Sequence, residues 1–317
     1  MLEYYQGLLV ALDELAESGA KYTLKVYDSM NDSLVVKRIL RRAEMKKMDL
    51  IIGPTDRSQV LIAAAFAKKY KIPMFSPITV IDDLHENNPY LFNLSPSNKI
   101  KAEEFVRYFK LEHYGKKLIL VRDGGRFDRG FGTALIKALE GSGINSQVVS
   151  YGRDQSWGGL LNAKSHVVVH LSDDKSKVNT SVTALMATKK EVFLFGSDRW
   201  LDFSSVDFSF WNQLNVHFIT SDLAETGNAR SLEMRKNFRA KYNGDPSSFS
   251  YAGYDQMLFA GQLLHAFGEY FPSFVSGHTF EYANSRLKFE ELNHSYHNRY
   301  LHLLAFRNNK LEAIDLH

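Results

Sequence analysis

The chain has 317 residues, 44% of them apolar and 24% charged, with a formal net charge of +3. That length suits about two domains at roughly 150 residues each, and so small a charge argues against a protein whose main task is wrapping nucleic acid, since such domains carry a concentrated basic face. The absence of cysteine excludes disulfides, thiolate metal sites and cysteine nucleophiles; no run of 18 apolar residues predicts a membrane span, and no signal-peptide pattern is expected.

The order of elements is read from the N-terminus. MLEYYQGLLVALDELAESG predicts a helix over 2–18 that stops near Gly19. YTLKVYD, 22–28, reads as a strand, and 33–47 as a helix. Its basic stretch KRILRRAEMKK interleaves with Val36, Ile39, Leu40 and Ala43 at helical spacing, which makes the charges a solvated face. Strand DLII, a helix over 58–70, strand IPMFS at 72–76 and a short strand YLFNL at 90–94 follow, and Asn98 is expected to cap a helix reaching about 113. After Gly115 the alternation restarts with strand KKLILVRD, helix FGTALIKALEGSG and strands SQVVSYG, HVVVHLS, VFLFGS and VHFIT, with a helix over about 176–190. Two consecutive helices, ARSLEMRKNFRAKY and SYAGYDQMLFAGQLLHAFGEYF, come next. The tail has β character in FEYA, SRLKFEE and NRYLHLLAFRNNKLEAI, with Asn308-Asn309 as a hairpin turn.

Short Val/Ile/Leu-rich strands every 20–30 residues or so indicate βαβ units and parallel sheets covered on both faces. The fold class is therefore α/β, with two doubly wound lobes. Lobe one is expected from 1–114 plus 222–276, and lobe two from 115–221 plus 277–317. Ligands of such sheets collect at the carboxyl ends of the strands, which singles out the loops GPTDRS (53–58), SPITV (76–80), DGGRFDRG (123–130), SDDKS (172–176) and GSDRW (196–200).

The loop at Gly53 lacks the Gly-Lys-Ser/Thr end of a phosphate loop, and no GxGxxG occurs. What remains is a helix N-terminus with free amides and hydroxyls, which favours a carboxylate or another anion; alternatively, Ser58 simply caps its helix. Asp198 could receive an ammonium group and Trp200 could stack on an apolar group or a cation, or the pair belongs to an ordinary surface loop. Phe127 could form a lid, or pack on the helix that follows. Neither GxSxG nor HExxH is present. His294, His297 and His302 have no acidic partner at metal spacing, and Asp82-Asp83 and Asp173-Asp174 read as loop solvation and cap chemistry, so neither a catalytic pair nor a metal or cofactor site is expected.

The stretches YYQGLLVALDEL, VYDSMND, MDLIIGPTDRS, AKKYKIPMFSP, NNPYLFNLSPSN and SFSYAGYDQMLFAGQLL resemble the type I periplasmic binding protein family, near its leucine/amino-acid-binding members of ABC transport and their Bacteroidetes cell-envelope relatives. The resemblance implies a non-catalytic two-lobed clamshell in the periplasm or cell envelope. It closes on a small polar ligand by a hinge motion near 113–116 and 220–226, and an ABC transporter permease or peptidoglycan-associated proteins are its partners. By the resemblance, Thr55, Asp56, Arg57 and Ser58 with Ile78, Thr79 and Val80 match the carboxylate-binding loops. Phe127 matches an aromatic contact that is tyrosine in the family, Asp198 the ammonium acceptor, and Ser172 and Asp173 a further contact. The family's first strand would precede residue 1, so the lobe-one sheet is expected to lack it. The rival readings are an envelope interaction scaffold with a degenerate cleft, an α/β enzyme, and a transcriptional-regulator core on the same fold.

Overall fold

The structure is a computed structural model that describes residues 1–80, 87–152, 156–203, 208–221 and 228–314. The expected hinge segment 220–226 and the Asp82-Asp83 pair therefore lie wholly or mostly outside the described residues. The chain forms two compact units: unit 1 from Met1–Ser97 and Ser221–Tyr300, and unit 2 from Asn98–Thr220 and Leu301–His317.

Unit 1 opens with α1 (Leu2–Glu17), which ends at Ser18 before Gly19 at φ 90°. Asp32 accepts the Leu34 amide at 2.7 Å and starts α2 (Ser33–Leu40), and a 3-10 turn covers Ala43–Lys47. Then come β1 (Ile51–Ile52), α3 (Arg57–Tyr70), β2 (Met74–Ser76) and β3 (Leu91–Asn93). In unit 2 the elements are α4 (Asn98–Glu112), β4 (Lys117–Arg122), α5 (Thr133–Leu139), β5 (Ser146–Ser150), α6 (Trp157–Leu160), β6 (Ser165–Leu171), α7 (Lys175–Ala187), β7 (Glu191–Gly196), α8 (Phe208–Gln213) and β8 (His217–Thr220). The chain returns to unit 1 for α9 (Ala229–Tyr242), α10 (Ser248–Phe267), β9 (Thr279–Glu281), β10 (Arg286–Leu292) and β11 (Ser295–Asn298). Unit 2 is completed by the hairpin of β12 (His302–Arg307) and β13 (Lys310–Ile314).

The sheet of unit 1 has the order β1-β2-β3-β11-β10-β9, parallel through β11 and antiparallel beyond it. It lies between two apolar layers. Tyr4, Leu8 and Leu15 of α1 and Leu258, Phe259 and Leu263 of α10 pack with Phe75 and Phe92 on one side. Val36, Leu40, Val60, Ala63, Ala64 and Ala67 of α2 and α3 pack with Met74 and Leu91 on the other. Glycines bring α1 and α10 together: a Cβ on Gly7 would sit 1.8 Å from the Ser250 carbonyl oxygen, and one on Gly253 2.0 Å from that of Tyr4. Unit 2 has the order β13-β12-β8-β7-β6-β4-β5, parallel from β5 to β8 and antiparallel at β12 and β13.

Four expectations need correction. Residues 22–28 form no strand, because no neighbour supplies the ladder that defines one. The helix over 33–47 breaks after Leu40 into a 3-10 turn. The tail holds an extra strand, β11, reached through a turn at Asn293 and His294 with φ of 50° and 57°. Finally, 98–114 belongs with unit 2, because α4 buries Phe105 and Phe109 among Leu118 and Leu120 of β4. Residues 277–300 belong with unit 1, because β11 pairs with β3 through Tyr296↔Phe92.

Candidate functional site

In unit 1 the loops after β1 and β2 meet. Gly53, at φ 85°, and Pro54 are joined by a cis peptide bond and turn the chain out of β1. The Thr79 hydroxyl donates to the carbonyl of Thr55, and the Ser76 hydroxyl donates to the carbonyl of Thr79. Behind them, Tyr4 donates to Gln256 at 2.6 Å, and Gln256 donates to the Pro77 carbonyl at 3.2 Å. A buried side chain on α10 thus fixes the loop that presents Ile78, Thr79 and Val80. Ile78 is exposed, and Thr79 and Val80 are half-buried.

The N-terminus of α3 is already occupied. Asp56, not Ser58, is its cap: one carboxylate oxygen accepts the Ser58 amide at 2.9 Å and the Ser58 hydroxyl at 2.6 Å. These bonds, the hydroxyl's first, hold the Asp56 carboxyl below its ordinary range. The anion expected at this helix end is therefore supplied by the protein itself. Arg57 and Ser58 are exposed beside it, and Ser58 also meets the Ser33 hydroxyl at 3.1 Å.

In unit 2 three loops are knitted together at the carboxyl ends of adjacent strands. Asp123, directly after β4, accepts the Ser172 hydroxyl at 2.7 Å, the Lys177 ammonium at 3.0 Å and the Gly125 amide at 2.7 Å. Burial works to raise its carboxyl, but the bonds from Ser172, Gly125 and Lys177 outweigh it and hold it below the usual carboxylate range. Asp128 accepts Arg122 Nε at 2.6 Å and the Gly124 amide at 2.8 Å, closing the loop on itself. Ser172, after β6, also accepts from Trp200 Nε1 through its carbonyl at 2.8 Å. Trp200 is fully buried, so its indole supports the loop from beneath and offers no open stacking face. This corrects its expected role. Phe127 stacks on Phe131 at 5.2 Å, the packing alternative for that residue. With Lys101, Phe105, Val169, Phe195, Gly196 and Ile219 the two rings line an apolar recess within unit 2.

Two carboxylates in these loops are left uncommitted. One oxygen of Asp173 is buried without a hydrogen-bond partner, and the other lies 3.9 Å from Arg199 Nε, a weak pairing. Asp198, half-buried after β7, makes no hydrogen bond or ion pair among the described residues. Asp123, Asp128 and Lys177 carry the loop architecture and were not singled out by the sequence reasoning. The signal that could have found them is an acidic residue followed by two glycines at the end of an apolar strand, VRDGG, the pattern of an Asx turn.

The sequence profile of the family described as periplasmic binding protein matches residues 3–198. The chain belongs to that family. The solved structures agree in fold. An ABC transporter substrate-binding protein from Desulfitobacterium hafniense in complex with Leu is 16% identical with a TM-score of 0.68, over 98% of this chain and 95% of that one. The branched-chain amino acid transporter substrate binding protein from Streptococcus pneumoniae in complex with isoleucine is 17% identical with a TM-score of 0.61, over 99% and 94%. A solute binding protein from R. palustris in complex with benzoate is 15% identical with a TM-score of 0.56, over 98% and 90%. The comparison with curated proteins returned no match. Among the described residues no helix is long and apolar enough to cross a membrane.

Proposed function

We propose that the chain is a non-catalytic solute-binding protein of the periplasm or cell envelope that takes a small ammonium-bearing ligand, an amino acid or a cell-wall fragment, and hands it to an ABC transporter permease. The observation that carries this reading is the pair Asp173 and Asp198. They follow the adjacent parallel strands β6 and β7, and they keep acceptor capacity that the neighbouring Asp123 and Asp128 have spent on their own loops. A buried acceptor left unpaired costs about 1–3 kcal/mol, and a bound ammonium relieves that cost. The recess at Phe127 suits an apolar side chain. Within unit 1 itself, the hydroxyl of Thr55 has no hydrogen bond among the described residues. With Asp56 on the Ser58 amide, the start of α3 is not open to a ligand carboxylate. The leucine and isoleucine held by two of the structural neighbours accord with this class.

A thermal-shift and calorimetric screen of amino acids, their deaminated analogues and muropeptides tests the reading. A ligand that binds only the folded chain adds about 2.7 kcal/mol of stability at a hundred times its Kd. The expected result is a shift by amine-bearing compounds, none by the deaminated analogues, and at least a tenfold weaker affinity, about 1.4 kcal/mol, in Asp198→Asn. Equal shifts by amines and deaminated analogues, or none by any compound, would overturn it. A second reading, an envelope scaffold that regulates or contacts the peptidoglycan machinery, draws on the self-capped α3 and the self-clasped 123–128 loop. It expects specific association with peptidoglycan-synthesis proteins that Asp198→Asn leaves unchanged.

A further inference from the structure

Charge is spread unevenly along the chain. Residues 37–71 carry ten Lys and Arg against three Asp and Glu, a net +7, whereas the remaining residues, with 29 against 33, are net −4. Eight of the ten, Lys37, Arg38, Arg41, Arg42, Lys46, Lys47, Lys69 and Lys71, are exposed and make no ion pair among the described residues. Elsewhere Arg107, Arg122, Lys177, Arg235 and Arg286 each meet a carboxylate within 3.0 Å. Glu44, the one acid of 37–47, accepts the Tyr27 hydroxyl at 3.1 Å.

Packing gathers these cations on one surface of unit 1. Val36, Leu40 and Met45 enter the same apolar cluster as Ala63, Ala64 and Ala67, which leaves the intervening cations outward. The ammonium groups of Lys46 and Lys69 lie 5.3 and 5.4 Å from the centre of the Tyr70 ring, so the charges of the 3-10 turn continue into those at the end of α3. The Arg42 guanidinium lies 4.9 Å from the centre of the Tyr27 ring. Cations favour the negative end of a helix, but only Lys37, Arg38, Lys68 and Lys69 stand in a last turn. Arg41, Arg42, Lys46, Lys47 and Lys71 lie beyond it. Because β1 and β2 are parallel, α3 runs from the carboxyl end of one strand back to the amino end of the next. The 14 residues of α3, about 21 Å of helix, therefore separate the basic surface from the loops Thr55–Ser58 and Ile78–Val80.

We propose that this surface docks unit 1 on an anionic lipid bilayer, away from its ligand loops. Like charges held together without partners repel one another and work against the compact state; a sheet of phosphate headgroups removes that repulsion. The composition of the patch selects the partner. Five of the eight cations are Lys, strongly hydrated point charges on flexible stems that adapt to a diffuse anionic surface, whereas Arg forks suit fixed bidentate partners. Protein interfaces need an apolar core and are depleted in Lys, and of the large apolar side chains in 37–71 only Leu61 is exposed, at 37%. The same lack of an apolar wedge makes the attachment electrostatic and reversible by salt, without insertion into the acyl layer. The preference for a bilayer over nucleic acid rests on the envelope setting proposed above.

The test is co-sedimentation of the full chain with vesicles of phosphatidylcholine alone or mixed about 2:1 with phosphatidylglycerol. Binding is expected to the mixed vesicles only, and to fall steeply between about 0.1 and 1 M NaCl as the Debye length shrinks from about 10 to about 3 Å. Each cation near such a surface is worth about fivefold in affinity, so Lys37→Gln, Arg41→Gln, Lys47→Gln and Lys71→Gln together are expected to lose at least about a hundredfold. A control with the same net charge, Lys110→Gln, Lys137→Gln, Lys164→Gln and Lys189→Gln on exposed positions of unit 2, keeps the binding. Both variants keep the Tm of the parent. No binding to the mixed vesicles at low salt, equal binding to both vesicle types, or equal losses in the two variants overturns the proposal. So does tighter binding, at the same salt, to a DNA oligonucleotide or to polyglutamate, which gives the patch to a nucleic acid or an acidic protein. None of these outcomes bears on amine binding, which calorimetry reads without lipid.

Discussion

A Cβ added to Gly196 would lie 2.5 Å from the Trp200 ring, so the indole fills the space directly beneath the end of β7 and leaves room only for glycine above it. Trp200 also ties the loop after β7 to the loop after β6 through the Ser172 carbonyl. Trp200→Ala is therefore expected to cost about 3–5 kcal/mol, read as a lower urea midpoint, and to weaken amine binding only indirectly. At this scale the sequence was legible where position alone decides: Asp198 and Asp173 stand at strand ends, and strand ends are countable. It was not legible where neighbours decide. The tryptophan beside Asp198 looks the same on paper whether it stacks on a ligand or packs under a glycine, and Asp56 and Ser58 exchange the role of cap according to which oxygen reaches the amide.

Among the elements, the α1/α10 pair has the narrowest tolerance. Gly7 and Gly253 each bring one helix against backbone atoms of the other, so an added methyl group meets a carbonyl that cannot rotate away. Gly253→Ala is expected to force the helices apart and to cost about 1–3 kcal/mol or more, with early loss of amide protection in α1 and α10 as the readout. Helix and strand order was largely legible, since periodicity and caps are local. The Asn308-Asn309 turn was as well, and both residues adopt positive φ, 51° and 59°. Residues 22–28 have the composition of a strand, yet pairing is a property of two segments, and composition reports on one. The strand β11, with the sequence SYHN, was missed for the opposite reason: polar residues hid it, while Asn93 bonding to His297 and Asn298 bonding to Leu94 show why buried polar side chains suit it.

For the molecule as a whole, six histidines are buried among the described residues, and five of them, His113, His166, His170, His217 and His302, lie in unit 2, with His297 in unit 1. Burial pushes His113 down to about 3, with Lys116 adding to the effect, and holds His170 and His217 at about 4; His166 is lowered as well, again mainly by burial. His113, His170 and His217 stay neutral in the folded chain above about pH 4 while the unfolded chain takes up protons below an ordinary pKa near 6.5. The unfolded state then binds more protons, so stability falls as pH drops from about 6.5 toward 4, by up to about 1.4 kcal/mol per pH unit for each of these three groups. Denaturant midpoints at pH 7 and pH 5, with hydrogen exchange to locate the loss, are expected to show unit 2 loosening first, and His217→Phe to flatten the slope. The two-unit α/β architecture was legible from the restart of the strand–helix pattern after Gly115. The assignment of 98–114 and 277–300 was not, because it depends on which sheet a distant segment joins.

The union of β3 with β11 joins Phe92 to Tyr296 and so sets the order in which the protein can mature on a ribosome. The first three strands of unit 1 emerge early and wait, with β3 unpaired on one flank, while all of residues 98–220 are synthesised. Only β11, Ser295–Asn298, releases them from that exposure. A nascent chain of this kind depends on chaperone cover until translation is nearly complete.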